Sequence, residues 1–402
     1  MKRRDVLRWG CGHCAGLGLL GGGLGGLTSG AHAQDGAWQL PGRFARPDLA
    51  TDEGGLWALM DREETRLRRS PLVMRDGGLR EYLKGVVCRL GASHCPDVRV
   101  YPVRTPWFNA SMAPNGMMQV WSGLLLRVDN EAQLAAVLGH EMGHYLQRHS
   151  VEQLRDARSR SAFGQILGVA LGGVGVLAQL ALLAGAAAYS RDHERQADVI
   201  GLELMRQSGY DPREAALVWR NLRAELSAGA GGDPSRRSVL FASHPPSEER
   251  EQNLQRMSDS LTSGAATKGF ANGQEAFAQA MEPYVFDLMD DELRRGQYDE
   301  TIVLMDRWVA RDSQRADSLY TRGEARRLRA QAGDAELALK DLQAATQAPR
   351  GKGQVPAWRS LGYLHQQGGA GELARLAFER YLALAPQAPD AAMIQIYLQP
   401  KT

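Results

Sequence analysis

The chain has 402 residues and 44% apolar content, enough for two domains with substantial cores. Its 48 Lys and Arg against 46 Asp and Glu give a formal charge of +2, of which Lys2, Arg3, Arg4 and Arg8 set against Asp5 supply +3 within residues 1–33. Removing that segment leaves about −1, with neither the basic patch that nucleic acid demands nor a phosphate-binding glycine loop, so no nucleic acid is expected among the partners.

Residues 1–33 read as an export signal: a basic start, a Gly/Leu-rich middle, and Ala31-His32-Ala33 ahead of Gln34 as a small-residue cleavage site. Lys2 to Arg8 is twin-arginine-like, and the mildly apolar core suits export of a folded chain. Cys11-Gly12-His13-Cys14 sits inside that core without a βαβ pattern around it, which argues against a redox motif. The remaining cysteines, Cys88 and Cys95, are expected to pair in an oxidising compartment, adding roughly 2 to 3 kcal/mol at most. The rival, a metal site with His94, has too few ligands.

Leu56 to Leu90 shows a helical pattern that is charged outside. Val98 to Val103 then alternates like a strand, and Asn109–Met112 and Met117–Trp121 flank the turn signal Ala113-Pro114-Asn115-Gly116. An exposed edge of such a hairpin can pair with an extended peptide; a purely structural hairpin is the alternative. Asn130 and Gln133 form a capping-box pattern opening a helix with Leu134, Val137, Leu138, Met142 and Tyr145 on an apolar stripe. That helix carries His140-Glu141-Met142-Gly143-His144. Residues four apart stack on one face, so His140 and His144 can share one ion, and Glu141, about 100° round from His140, can hold a water without ligating.

A catalytic metal needs a third protein ligand and an open fourth position. The candidate lies in Ser190 to Asp198, the start of a second helix that stops at Gly209, with a further helix from Pro212 to Ser227. Glu194 and Asp198 share a face, so one carboxylate can bind the ion while the other receives an N–H from a ligating imidazole. An ordinary salt-bridged face, with Arg191 and Arg195 at i and i+4, is the alternative. Between the two helices, Ala162 to Tyr189 carries no charge, and 14 of its 28 residues are Ala or Gly. A single membrane span there would put the two ligand helices on opposite sides, so a helical hairpin or flap is expected, buried or in peripheral membrane contact.

A Gly/Ser segment, Ser227 to Ser238, leads to Ser243-His244-Pro245-Pro246-Ser247-Glu248-Glu249-Arg250. Residues 258–274 read as a linker. Beyond it, Trp358, Leu361, Gly362, Ala374, Phe378 and Pro386 fall at tetratricopeptide spacing, with Tyr320, Ala338, Leu342 and Ala345 suggesting a preceding unit and Gly296-Gln297-Tyr298 with Met305 an earlier one. At least three stacked helix pairs are expected over 275–400, with a concave surface for a client or assembly partner.

The pentad at His140, the stretch from Ser190 to Asp198 and the stretch from Ser243 to Arg250 together resemble the HtpX-type gluzincin peptidases. They resemble in particular the periplasmic BepA/YfgC-like members, which join this domain to tetratricopeptide repeats. The resemblance implies one Zn²⁺ held by His140, His144 and Glu194, with Glu141 as general base and Asp198 supporting a ligand. It matches His244 to a histidine near the metal that caps or regulates it.

The expected architecture is mainly α: an α+β zincin-like metallopeptidase domain with a small sheet over 34–257, then an α-solenoid. The expected function is periplasmic hydrolysis of peptide bonds in unfolded or misassembled polypeptides, in quality control of outer-membrane proteins. The alternative is a chaperone-like adaptor whose repeats dock on the outer-membrane assembly machinery while proteolysis stays latent.

Overall fold

The computed structural model describes residues 38–159, 189–229, 244, 247–263 and 269–399. Residues 1–33, read above as an export signal, and the charge-free stretch up to residue 188 lie outside the described residues. Helix α1 (Asp52–Arg69) is capped by Thr51, whose side chain accepts from the Gly54 N–H, with acids in its first turn and arginines in its last. Helix α2 (Gly77–Gly91) is capped by Asp76, and a 3₁₀ turn (Ala92–Asp97) follows, stapled to α2 by the Cys88–Cys95 disulfide.

Three strands follow, β1 (Arg99–Val103), β2 (Ala110–Met112) and β3 (Met117–Trp121), in the order β1-β3-β2. The expected hairpin is present, with Ala110 opposite Val120 and Met112 opposite Met118. Gly116 turns it at φ 87°, where a Cβ would meet the Asp97 carbonyl at 2.2 Å. Strand β1 lies parallel to β3, Arg99 beside Met117 and Val103 beside Trp121. Its outer edge is covered by the Met74 N–H donating to Pro102 and the Arg104 N–H donating to Leu72, so β2 forms the opposite edge.

After α3 (Ser122–Arg127), helix α4 (Glu131–Leu146) starts at Asn130, whose side chain accepts from the Gln133 N–H at 2.8 Å. Gln133 Oε1 accepts from the Asp129 N–H rather than from Asn130, so the reciprocal bond lands one residue earlier than a capping box would put it. Helices α5 (His149–Ser159), α6 (Arg191–Gln207) and α7 (Glu214–Ala228) surround it. Ser190 caps α6, which ends ahead of Gly209 at φ 77°. Pro212 sits in the turn before α7 and not at its first helical position.

Helix α8 (Glu248–Thr262) is capped by Ser247 and carries residues 258–262 of the segment read as a linker. The far end of that segment is also pinned: Ala271 pairs with Gly209 and Asp211, and the Asn272 carbonyl accepts from the Ala132 N–H. The C-terminal region is helical throughout its described elements: α9 (Gln274–Met281), α10 (Val285–Arg294), α11 (Tyr298–Arg311), α12 (Ala316–Arg329), α13 (Asp334–Gln347), α14 (Gln354–Gln367), α15 (Gly371–Leu384) and α16 (Ala391–Leu398). Small residues let paired helices close. A Cβ on Gly362 would reach the Phe378 ring at 2.3 Å, and one on Gly323 would reach Leu342 at 2.9 Å.

Buried charge fastens this region to the N-terminal part. Arg127 on α3 donates to Glu225 on α7 at 2.7 Å and to Glu292 on α10 at 2.8 Å. Arg307 on α11 reaches Glu225 at 2.6 Å and the Arg127 carbonyl at 2.8 Å, and Trp308 donates to the Leu126 carbonyl at 3.0 Å. Among the described residues no helix is long and apolar enough to cross a membrane.

Candidate metal centre

The centre depends on how closely α4 and α6 approach. Gly139 and Gly143 face Gly201 and Ala197, and a Cβ on Gly143 would lie 2.9 Å from the Ala197 backbone. That backbone-to-backbone contact brings Glu194 of α6 over the two imidazoles of α4. His140 Nε2 and His144 Nε2 are 3.1 Å apart, Glu194 Oε1 is 3.3 Å from His144 Nε2, and Glu194 Oε2 is 3.6 Å from His140 Nε2. His244 completes the group, with Nδ1 2.6 Å from Glu194 Oε1 and 3.2 Å from His140 Nε2. His140, His144, Glu194 and His244 are all buried and offer donor atoms that lie within 4.8 Å of one another.

A tetrahedral metal ion with bonds of about 2.0 to 2.1 Å holds its donors about 3.3 Å apart, so this spacing and this N/O donor set fit such an ion. Burial pushes His144 well below its ordinary pKa, leaving a neutral ring with a lone pair to give. Burial would push Glu194 up, but His244 and His140 reverse it and hold the carboxylate ionised. Glu141 stands beside the cluster, 3.8 Å from His244 Nε2, with its Oε1 buried and without a hydrogen-bond partner among the described residues. Burial raises its pKa, which suits a group that must take up a proton.

Asp198 Oδ1 lies 2.9 Å from His140 Nδ1, an ion pair by distance that sets a carboxylate behind the imidazole and leaves Nε2 toward the cluster. Every candidate from the sequence therefore meets at one point.

Sequence reasoning left Arg250, His149, Gln196 and Tyr189 without roles. Arg250 grips Asp198 through Nε at 2.9 Å and Nη2 at 2.6 Å, lies 2.9 Å from Glu194 through Nη1, and stacks 4.0 Å over Trp219. The Nη1 contact is an ion pair by distance without the alignment of a hydrogen bond. Arg250 closes the stretch from Ser243, but its partners Asp198 and Trp219 lie on other helices, which local spacing does not reveal. Tyr189 stacks on His144 at 3.9 Å, and its hydroxyl meets Ser150 at 3.0 Å. No local pattern flags a lone Tyr after an apolar run.

Residues 74–258 match the model of peptidase family M48. The chain is 32% identical over 157 residues to the mitochondrial metalloendopeptidase OMA1 of Schizosaccharomyces pombe, covering 39% of this chain and 45% of that one. It is 27% identical over 225 residues to the beta-barrel assembly-enhancing protease of Escherichia coli K12, covering 51% and 45%, and 32% identical over 164 residues to the metalloprotease YcaL of the same strain, covering 39% and 59%. The chain thus spans about half the length of the curated relatives it matches. The ligand cluster and its adjacent glutamate lie inside residues 74–258, the segment that is similar to the metallopeptidases of family M48.

Proposed function

We propose that the chain is a zinc-dependent endopeptidase of the bacterial periplasm that cleaves unfolded or misassembled outer-membrane proteins. The observation that carries this reading is the buried Glu141 Oε1, without a hydrogen-bond partner among the described residues, beside three imidazoles and a carboxylate at tetrahedral spacing. Similarity to the beta-barrel assembly-enhancing protease supports the substrate class, and the export signal supports the compartment.

His140, His144 and Glu194 would hold the zinc, which when bound supplies a Lewis acid for the scissile carbonyl and acidifies water. Glu141 takes the proton from the attacking water and delivers it to the leaving amine. Asp198 and Arg250 keep the His140 ring and the Glu194 carboxylate from turning away. The β2 edge of the sheet, which pairs with no further strand among the described residues, would line up an extended peptide by backbone pairing, which gives affinity with little sequence preference. The C-terminal helix pairs present clients or dock on the assembly machinery.

His244 favours a second reading, the chaperone-like adaptor with latent proteolysis. It fills the corner of the cluster that a catalytic site leaves open to water. One set of measurements separates the two: metal content and casein cleavage of wild type and Glu141→Gln, with restoration of envelope integrity in a deletion strain. Glu141→Gln should keep its zinc and lose cleavage by about 10²-fold or more. If it restores the envelope as well as wild type, the adaptor reading replaces the peptidase one.

A further inference from the structure

We propose that His149 is a positioning residue of the metal centre, accepting a hydrogen bond from His144 Nδ1 and so fixing the His144 tautomer whose Nε2 lone pair faces the ion. The inference rests on the metallopeptidase reading above and assigns a role in it to a residue outside the ligand set.

His149 Nδ1 lies 2.9 Å from His144 Nδ1, and His149 Nε2 lies 3.1 Å from Gln196 Oε1. An amide oxygen only accepts, so the hydrogen on a neutral His149 ring sits on Nε2 and its Nδ1 offers a lone pair. Two nitrogens at 2.9 Å need one hydrogen between them, and it must come from His144. His144 Nε2 is then bare, and it is this atom that lies 3.3 Å from Glu194 Oε1 and 3.1 Å from His140 Nε2. The relay begins on α6 two residues past Glu194, so one helix supplies both a ligand and the anchor that orients another.

The backbone is bent to make this contact. Arg148 sits at φ 60°, a conformation unusual for a residue with a Cβ, and reverses the chain so that His149 opens α5 facing back at α4. The Arg148 side chain is held by an ion pair to Glu53 and by the Phe44 ring at 4.8 Å. His193 stacks on His149 at 4.2 Å and pairs with Glu152 at 3.0 Å, closing the outer side. With both nitrogens of His149 engaged, the grouping of His149, Glu152 and His193 is a wall and not a second metal site.

A neutral acceptor suits this position better than a carboxylate. Glu141, Glu194 and Asp198 are three buried carboxyl groups, which Arg250 and a bound divalent cation would match. His140 already has a carboxylate behind it, and another behind His144 would be an unbalanced buried charge.

The test is zinc affinity of the full chain by chelator competition, with ¹⁵N-histidine NMR of the metal-free protein reading the His144 tautomer. His149→Phe, which keeps a ring and removes the acceptor, should weaken zinc binding about 10- to 100-fold and lose the Nδ1–H form of His144. His149→Asn, whose amide oxygen can stand near the Nδ1 position, should stay within about threefold of wild type. Equal zinc affinity in His149→Phe and wild type overturns the proposal alone. So does a folded His149→Asn that binds as weakly as His149→Phe, and this second variant decides the matter if His149→Phe fails to fold. A wild-type chain that takes up no zinc overturns the metallopeptidase reading itself.

Discussion

Gly143 of α4 and Ala197 of α6 pack backbone on backbone, with 2.9 Å between the place of a Gly143 Cβ and the Ala197 Cα. One turn earlier, a Cβ on Gly139 would lie 3.2 Å from the Gly201 carbonyl. No flexible side chain stands there to yield, so Gly143→Ala must push the helices apart and carry Glu194 away from His140 and His144. Chelator competition should show at least about a tenfold loss of zinc affinity. Gly85→Ala is the control: it lies on the exposed face of α2, where a Cβ meets nothing within 4 Å, and should raise stability by about 0.5 to 1 kcal/mol. Unchanged zinc affinity in Gly143→Ala would mean that the close approach does not set the ligand spacing.

Arg250 is buried between Asp198 and Glu194, so removing it takes from two buried carboxylates their guanidinium partner and leaves only imidazoles beside them. Arg250→Met should cost about 3 to 5 kcal/mol in the metal-free chain. A bound divalent cation takes over part of the compensation, so the loss should shrink when zinc is present. Arg250→Lys should not restore the wild-type value, because an ammonium cannot hold Asp198 through two nitrogens. Thermal unfolding with zinc and with chelator checks this; equal losses in both conditions would count against a shared role.

The parts of this fold written in short-range chemistry were legible. The histidine pair four residues apart, the Asn130 cap, the Pro114-Asn115-Gly116 turn and the spacing that sets Gly362 against Phe378 each follow from local rules, and each is present. Glu194 could be picked out because a second helix cap and a paired Asp198 stood beside it. Arg250 and His149 could not be assigned in the same way. Their meaning lies in distances across 110 residues to His140 and across the Arg148 bend to His144, which no periodicity encodes. The segment read as a linker, 258–274, carries order that its Ser/Gly/Thr composition does not announce: Ser258 is buried in the last turns of α8, and Ala271 is paired with Tyr210.

The joint between the metallopeptidase domain and the helix pairs should be acid-sensitive. Burial alone would push the Glu292 carboxyl up, but Arg127 and Arg295 beside it bring it below its ordinary value, with Thr301 donating as well. Glu225 and Glu300 complete the group of charges that face these arginines. A carboxylate with a depressed folded pKa gives its stabilisation fully above the unfolded value of about 4.3 and loses it as pH falls through the folded one. Stability should therefore hold at neutral pH and decline below about pH 4.3. Glu292→Gln should cost about 3 to 5 kcal/mol at pH 7 and flatten that acid decline. Denaturant unfolding at pH 7 and pH 4 reads both, and an unaltered acid slope in the variant would remove Glu292 from the account.

His244 gives the sharpest expectation about restraint. With Nδ1 against Glu194 Oε1 and His140 Nε2, it occupies the fourth corner around the metal position, where a water must stand for Glu141 to act on it. His244→Ala should therefore move two readouts in opposite directions: casein cleavage rises because the corner opens, and zinc affinity falls because a donor is lost. A histidine that only braced the fold would lower both. A catalytic His244 would lower cleavage with affinity little changed. If the variant matches wild type in both readouts, His244 does not restrain the site, and the latent-proteolysis reading loses the observation that favours it.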